Sequence, residues 1–84
     1  MSEPAPPVSA RLVAARKALG LSQTEMAERV GLKSKGFYSR VEQGIETPSI
    51  RVALALESET NGAVKAHDLN PQVALVREHD RRAA

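Results

Sequence analysis

Residues 19–49, LGLSQTEMAERVGLKSKGFYSRVEQGIETPS, hold two short helical patterns on either side of a glycine turn. The first pattern opens with Ser22 and Glu25 at capping-box spacing, in which the hydroxyl accepts the backbone N–H of Glu25 and the carboxylate accepts that of Ser22. Gly31 suits the left-handed backbone position that ends many helices. These features predict a helix that begins after Ser22 and ends before Gly31.

The second pattern begins at Ser34, a candidate helix cap, and runs to about Gln43, where Gly44 ends it. Tyr38 and Val41 lie three positions apart, so they share one side of this helix and are expected to face inward. A helix, a sharp glycine turn and a second helix with an apolar inner face predict a helix-turn-helix.

The rest of the chain also carries helical patterns. Ser9 is a candidate cap for a helix that ends at Gly20, and Thr47 followed by Pro48 is a candidate start for a helix that fades near Thr60. The remaining predicted elements are a single turn and a fifth helix, over residues 66–69 and 71–82. Because no stretch shows clean period-two alternation, the sequence predicts an all-α fold, a compact four- to five-helix bundle.

Composition excludes several classes of protein. The 84 residues allow one small domain, whose stability would gain from a partner subunit. The chain has no cysteine, no apolar run near the roughly 20 residues that cross a bilayer, and no basic flank or apolar core in MSEPAPPVS that would make a signal peptide. We therefore expect a cytoplasmic protein with no membrane contact, no cofactor and no metal.

The outer face of the second helix has the chemistry of a DNA reader. Lys35, Ser39 and Arg40 are polar and lie off the apolar side. A helix fits the major groove, where base edges carry an unambiguous donor and acceptor code, and the arginine fork matches guanine N7 and O6. Gly36 costs about 1 kcal/mol of helix propensity relative to alanine, but it lets the helix tip approach DNA closely. A net charge of +2 permits DNA binding without arguing for it.

The same stretch resembles the XRE family, the helix-turn-helix proteins that include phage repressors and Cro. The resemblance rests on LSQ at the start of the first helix, the glycine turn, S-R-hydrophobic-E-x-G at the end of the second, and the PS that starts the next helix. It covers about residues 10–58 and implies a lambda-repressor-like bundle. The tail TNGAVKAHDLNP resembles, less specifically, small Cro-like and YdaS-like phage or antitoxin regulators.

The resemblance implies roles for the matching residues. Gln23 would contact phosphate and brace the reading helix, while Glu42 would pair with Arg16 in a structural ion pair. The residues expected at base edges, at the helix tip or one turn further, are Ser34, Lys35, Gly36, Ser39 and Arg40.

Three more residues are candidates for DNA contact, and each also has an ordinary structural interpretation. Lys33 adds charge beside the expected backbone contact but is also an ordinary surface lysine. Phe37 is either a core residue or a contact for a thymine methyl group. Arg51 either meets a phosphate or is solvated. The family usually has basic residues after the second helix, whereas this chain has Ile45 and Glu46, and its turn is one residue longer than the commonest form.

These features divide the chain into three segments: a disordered, proline-rich arm over residues 1–8, a helix-turn-helix DNA-binding domain over 9–61, and a C-terminal extension over 62–84. The extension and the end of the fourth helix hold apolar residues that the helix-turn-helix does not need, so they are the favoured dimer surface. On this interpretation, a chain without residues 62–84 stays folded as a weaker-binding monomer.

The leading hypothesis is a promoter-occupying repressor that binds a two-fold symmetric DNA site as a homodimer. One alternative is an antitoxin or interaction module that binds a second protein through its tail and regulates its own promoter. The other is an activator that touches polymerase through an acidic patch of Glu25, Glu28 and Glu46. Catalysis has no support, because no nucleophile stands with a base at sensible spacing and no phosphate loop or metal cluster is visible.

Overall fold

The computed structural model describes residues 7–83, and over that range the chain is all-helical, which confirms the predicted fold class. Within these residues there are six helices rather than four or five, because the predicted turn at 66–69 forms a short helix of its own. They are α1 (Val8–Ala18), α2 (Gln23–Arg29), α3 (Lys35–Glu42), α4 (Ile50–Glu59), α5 (Ala66–Leu69) and α6 (Gln72–Ala83). Most of the predicted arm, residues 1–6, lies outside the described range.

Two predicted helix starts are wrong, and both involve proline. α1 begins at Val8 after Pro7, with no side-chain cap, so Ser9 lies inside the first turn. α4 begins at Ile50 rather than at Pro48, because Ser49 is the cap and its hydroxyl accepts the backbone N–H of Val52 at 3.2 Å. Pro7 is thus the cap residue of α1, whereas Pro48 lies just before the cap of α4 instead of occupying its first position.

The helix-turn-helix has the predicted local geometry. The Ser22 hydroxyl accepts the Glu25 N–H at 3.1 Å, and the Glu25 carboxylate accepts the Ser22 N–H at 3.0 Å, so the capping box is complete. Gly31 has a φ of +82°, which is the left-handed conformation expected after α2. The N–H of Leu32 then donates to the Ala27 carbonyl at 2.8 Å and closes the turn.

The core joins the helix-turn-helix to the tail in one cluster. Tyr38, Leu12, Met26 and Leu56 are fully buried at its centre. The tail contributes four further buried residues to the same cluster, namely Val64, Ala66, Leu69 and Val73. Removing residues 62–84 would expose the apolar surface that these residues cover. We therefore expect the truncated chain to be destabilised or unfolded, contrary to the expectation from sequence. Single substitutions are a better test of the dimer surface.

Polar contacts fix the tail as well. The buried Asn70 side chain donates to the Pro48 carbonyl at 2.9 Å and accepts the backbone N–H of Gln72 at 3.0 Å, which caps α6. Glu57 on α4 accepts the Ala66 N–H at 2.8 Å and an Arg77 N–H at 2.9 Å. These bonds hold α5 and the start of α6 against α4.

Candidate nucleic-acid interface

A buried ion pair fixes the angle of α3. The Arg16 guanidinium on α1 donates to both carboxylate oxygens of Glu42, at 2.6 Å from Nε and 3.2 Å from Nη2. Gln23, the first residue of α2, donates to the same carboxylate at 3.1 Å, and Arg16 also donates to the Leu21 carbonyl at 2.9 Å. The last residue of α3 is thereby tied to both preceding helices.

The electrostatics of this pair follow from its burial. The side chains of Arg16 and Glu42 are only 11% and 3% exposed. Burial alone would raise the pKa of Glu42, but the hydrogen bonds from Arg16 and Gln23 lower it below its ordinary value. Burial also raises the pKa of Tyr38, whose hydroxyl lies beside the pair without making a hydrogen bond of good geometry.

We predict that stability falls in acid. The pKa of Glu42 in the folded state lies below its ordinary value of 4.5, so its contribution to the free energy of unfolding is present above that value and is lost as the pH falls through the folded-state pKa. Glu25, bonded to the Ser22 backbone, and Glu57, bonded to Arg77, have pKa values lowered in the same direction. Urea-unfolding midpoints measured from neutral to acid pH should therefore decline below about pH 4.5. Glu42→Gln, which cannot titrate, should show a shallower decline, and an equal decline in both proteins would contradict the role of Glu42.

The face of α3 that points away from the core is polar and open. Lys35, Gly36 and Arg40 are exposed, whereas Ser39 is half-buried and its hydroxyl accepts a bond from Gln43 at 3.1 Å. Ser34 caps α3, because its hydroxyl accepts the Phe37 N–H at 3.1 Å. The geometry therefore leaves Lys35 and Gly36 open at the tip of α3 and Arg40 open one turn further, while both serine hydroxyls already hold a local bond.

Arg40 lies folded along α3 rather than extended into solvent. Its guanidinium carbon sits 5.8 Å from the centre of the Phe37 ring, within cation–π range. Its Nε lies 3.6 Å from a carboxylate oxygen of Glu46 in the loop after α3. Phe37 is half-buried against the core, so its inner side packs and its outer face carries Arg40. This arrangement leaves that ring face less accessible to a thymine methyl group.

The turn before α3 carries further positive charge. Lys33 is exposed within it, and Arg51 from the first turn of α4 reaches back over Gly31, where its Nη2 lies 2.8 Å from the position that a Cβ atom would occupy. Gln23 is half-buried, and its amide already donates to Glu42. In the free protein, then, the side chain of Gln23 braces α3, and one of its amide N–H groups remains for a phosphate.

We predict that Gly36→Ala stabilises the fold and weakens DNA binding. A Cβ at this position would lie 3.6 Å from both Arg40 Nη1 and Ser34 Oγ, which is ordinary contact, so the helix should gain up to about 1 kcal/mol. The added methyl group would nevertheless stand between the helix tip and the base edges. Thermal unfolding and a binding titration measure the two effects.

Gly31→Ala is the matched control for Gly36→Ala. Its φ of +82° disfavours any side chain, so this variant should lose about 1–2 kcal/mol, while the flexible end of Arg51, which a Cβ there would overlap, can move aside. A Gly36→Ala protein that is more stable and binds DNA as tightly as before would reduce Gly36 to a weak start of α3.

Two contacts at this interface were missed from sequence. The family resemblance implies that Gln23 braces α3, but its partner Glu42 lies 19 positions away and no local pattern indicates it. The approach of Glu46 to Arg40 follows from the chain reversal at Gly44, which the glycine itself signals. From sequence, Glu46 is a departure from the basic loop of the family and a member of an acidic patch, and neither interpretation pairs it with Arg40.

The histidines form no centre of their own. His67 Nε2 lies 3.5 Å from an oxygen of its neighbour Asp68. Asp68 also pairs with Arg11 of α1 at 3.2 Å. Within residues 7–83, no group of three histidine, cysteine or acidic side chains could hold a metal, and no helix there has the length and apolar character to cross a membrane.

Comparison with known proteins identifies one family. The model of a family described as Helix-turn-helix matches residues 12–63, more than half of the chain, from within α1 to just beyond α4. Comparisons with curated proteins and with solved structures gave no significant match.

Proposed function

This chain belongs to the helix-turn-helix family of the XRE type and is a DNA-binding transcription regulator, and on that premise we propose that it is a repressor that binds a two-fold symmetric operator as a homodimer. Members of this family are DNA-binding regulators rather than enzymes. The observation that carries the proposal is the exposed, basic outer face of α3, held at a fixed angle by the buried bonds of Glu42 to α1 and α2.

The residues divide into two groups by chemistry. Lys35 and Arg40 lie on the exposed outer face of α3 and are assigned to base edges, which only the major groove displays unambiguously. Lys33 and Arg51 flank the turn and are assigned to phosphates, which position the protein without reading sequence. Occupation of a promoter then blocks transcription, with no second domain required, and the protein acts in the cytoplasm where the DNA lies.

The dimer surface is assigned to α6 and the neighbouring side of α4. Every residue of α6 from 74 to 82 is exposed, and Leu75 and Val76 are 67% and 43% exposed. Leu54 on α4 adds a further exposed apolar side chain. A 12-residue helix is marginal without packing, so α6 gains most from a second copy that covers this face.

We predict that Leu75→Glu makes the protein monomeric and weakens its binding to a full operator, because it places a charge on the assigned dimer face. Sedimentation equilibrium and binding to one or two half-sites measure both effects. Ile45→Glu is the matched control, since Ile45 is apolar and 66% exposed but lies in the loop after α3. It should leave the oligomeric state unchanged. A wild-type protein that is monomeric at all concentrations would overturn the homodimer and assign the face to another protein, as expected of an antitoxin.

Selection of random DNA duplexes by the purified protein tests the proposed function directly. We expect a symmetric site with half-sites about one helical turn apart. If a dimer contacts about six phosphates, the slope of log affinity against log salt should be near −5. Equal binding to every sequence, or a slope near zero, would overturn the proposal, and mapping the site relative to the promoter separates repression from activation.

A further inference from the structure

We propose that Glu46 is a specificity-determining residue, which holds Arg40 as a reader of bases and keeps it from serving as a general phosphate contact. This inference rests on the proposed function, because it concerns how α3 discriminates among DNA sequences. Glu46 acts through Arg40 and is therefore a positioning residue.

The chain reversal after α3 places Glu46 beside Arg40. Gly44 has a φ of +77°, and its N–H donates to the Val41 carbonyl at 3.1 Å. The next two N–H groups, of Ile45 and Glu46, both donate to the Arg40 carbonyl, at 2.9 and 3.3 Å. The loop is thus bonded to the backbone of the very residue whose side chain Glu46 meets.

The side chain of Arg40 is held from two directions. Glu46 faces its Nε at 3.6 Å, and the Phe37 ring lies beneath the guanidinium carbon at 5.8 Å. The terminal nitrogens lean toward the tip of α3, where Nη1 is 3.6 Å from the position of a Cβ on Gly36. Within the described residues these terminal nitrogens make no hydrogen bond, so the fork that matches guanine remains available.

The Glu46 carboxylate weakens a contact between Arg40 and phosphate more than a contact between Arg40 and a base edge. Attraction of an arginine to phosphate depends on its net charge, which a neighbouring carboxylate partly cancels. Recognition of guanine depends on two hydrogen bonds in fixed geometry, which the carboxylate leaves in place. The pair is exposed, with side chains 47% and 41% accessible, so its effect is a matter of a few-fold rather than of orders of magnitude.

The test compares Glu46→Gln with the unchanged protein on two duplexes of equal length, the selected operator and a scrambled sequence. The specificity ratio is the Kd for the scrambled duplex divided by the Kd for the operator. We expect Glu46→Gln to bind the scrambled duplex more tightly and to lower the specificity ratio by about two- to five-fold. Glu28→Gln, an equal change of charge at an exposed position of α2, should leave the ratio unchanged.

The decisive comparison repeats Glu46→Gln in a protein that already carries Arg40→Ala. Without the arginine, loss of the carboxylate should raise both affinities alike and leave the specificity ratio unchanged. An unchanged or increased ratio for Glu46→Gln alone, or an equal fall in the Arg40→Ala background, overturns the role of Glu46. A ratio of one for the unchanged protein overturns the proposed function itself, and this inference with it.

Discussion

Glu42→Ala is expected to lower the free energy of unfolding by about 3–5 kcal/mol, because it strands the buried charge of Arg16. In the unchanged protein, the Glu42 carboxylate accepts two hydrogen bonds from Arg16 and one from Gln23. A domain of this size has a total stability of about 5–15 kcal/mol, so the variant should lose a large fraction of it and unfold at a markedly lower temperature. Urea or thermal unfolding followed by circular dichroism measures the change.

Two further variants separate a stranded charge from general damage to the fold. Glu78→Ala removes one partner of the exposed pair with Arg82 on α6 and should cost less than about 1 kcal/mol. Replacing both members of the buried pair, as Arg16→Met with Glu42→Leu, should recover much of the loss, because no charge is then buried alone. If Glu42→Ala costs no more than Glu78→Ala, the pair does not hold the fold.

Arg40→Ala is expected to cost about 1–3 kcal/mol of binding free energy at one or two base positions and to relax the preference there. The reason is loss of the guanidinium fork that matches guanine. Competition binding against a set of operators, each with one base pair changed, measures the preference at every position. A profile identical to that of the unchanged protein would remove Arg40 from the set of readers.

Lys33→Ala is the matched comparison for Arg40→Ala, since it removes one exposed positive charge from the turn instead of from the reading helix. It should weaken binding to every sequence about equally and make the salt slope shallower by about one. A sequence-dependent loss for Lys33→Ala would instead make this lysine a base reader.

The parts of the fold that sequence could predict are those fixed by neighbouring residues. The capping box at Ser22 and the left-handed glycine at Gly31 each depend on a few adjacent positions, and both have the expected geometry. The sequence places the start of α4 two residues too early, because a proline fits equally well at the first position of a helix and just before it. It places the start of α1 two residues too late, because Ser9 is a common type of cap residue but lies inside the first turn. The identity of the residue does not decide whether a proline lies at the first helical position or just before the helix; the backbone geometry around it does.

The tail could not be assigned to the core from sequence, because its role depends on contacts across the chain. Val64 and Val73 have no neighbouring pattern that indicates burial, and they are covered only because α5 and α6 fold back on α4. The interface shows the same limit. The exposure of Lys35 and Arg40 follows from helical periodicity, whereas the position of Arg40 over Phe37 and beside Glu46 depends on the path of the loop.

The bonds from Glu42 to α1 and α2 have a consequence for the DNA. A reading helix joined to two other helices at its far end cannot pivot to suit an imperfect groove, so adjustment between protein and operator falls to the double helix. In a two-fold dimer the separation of the two reading helices would be equally fixed. Base pairs at the centre of the operator, which no side chain touches, should then be selected for how readily they twist and bend, at a cost of order 1–6 kcal/mol for unfavourable sequences.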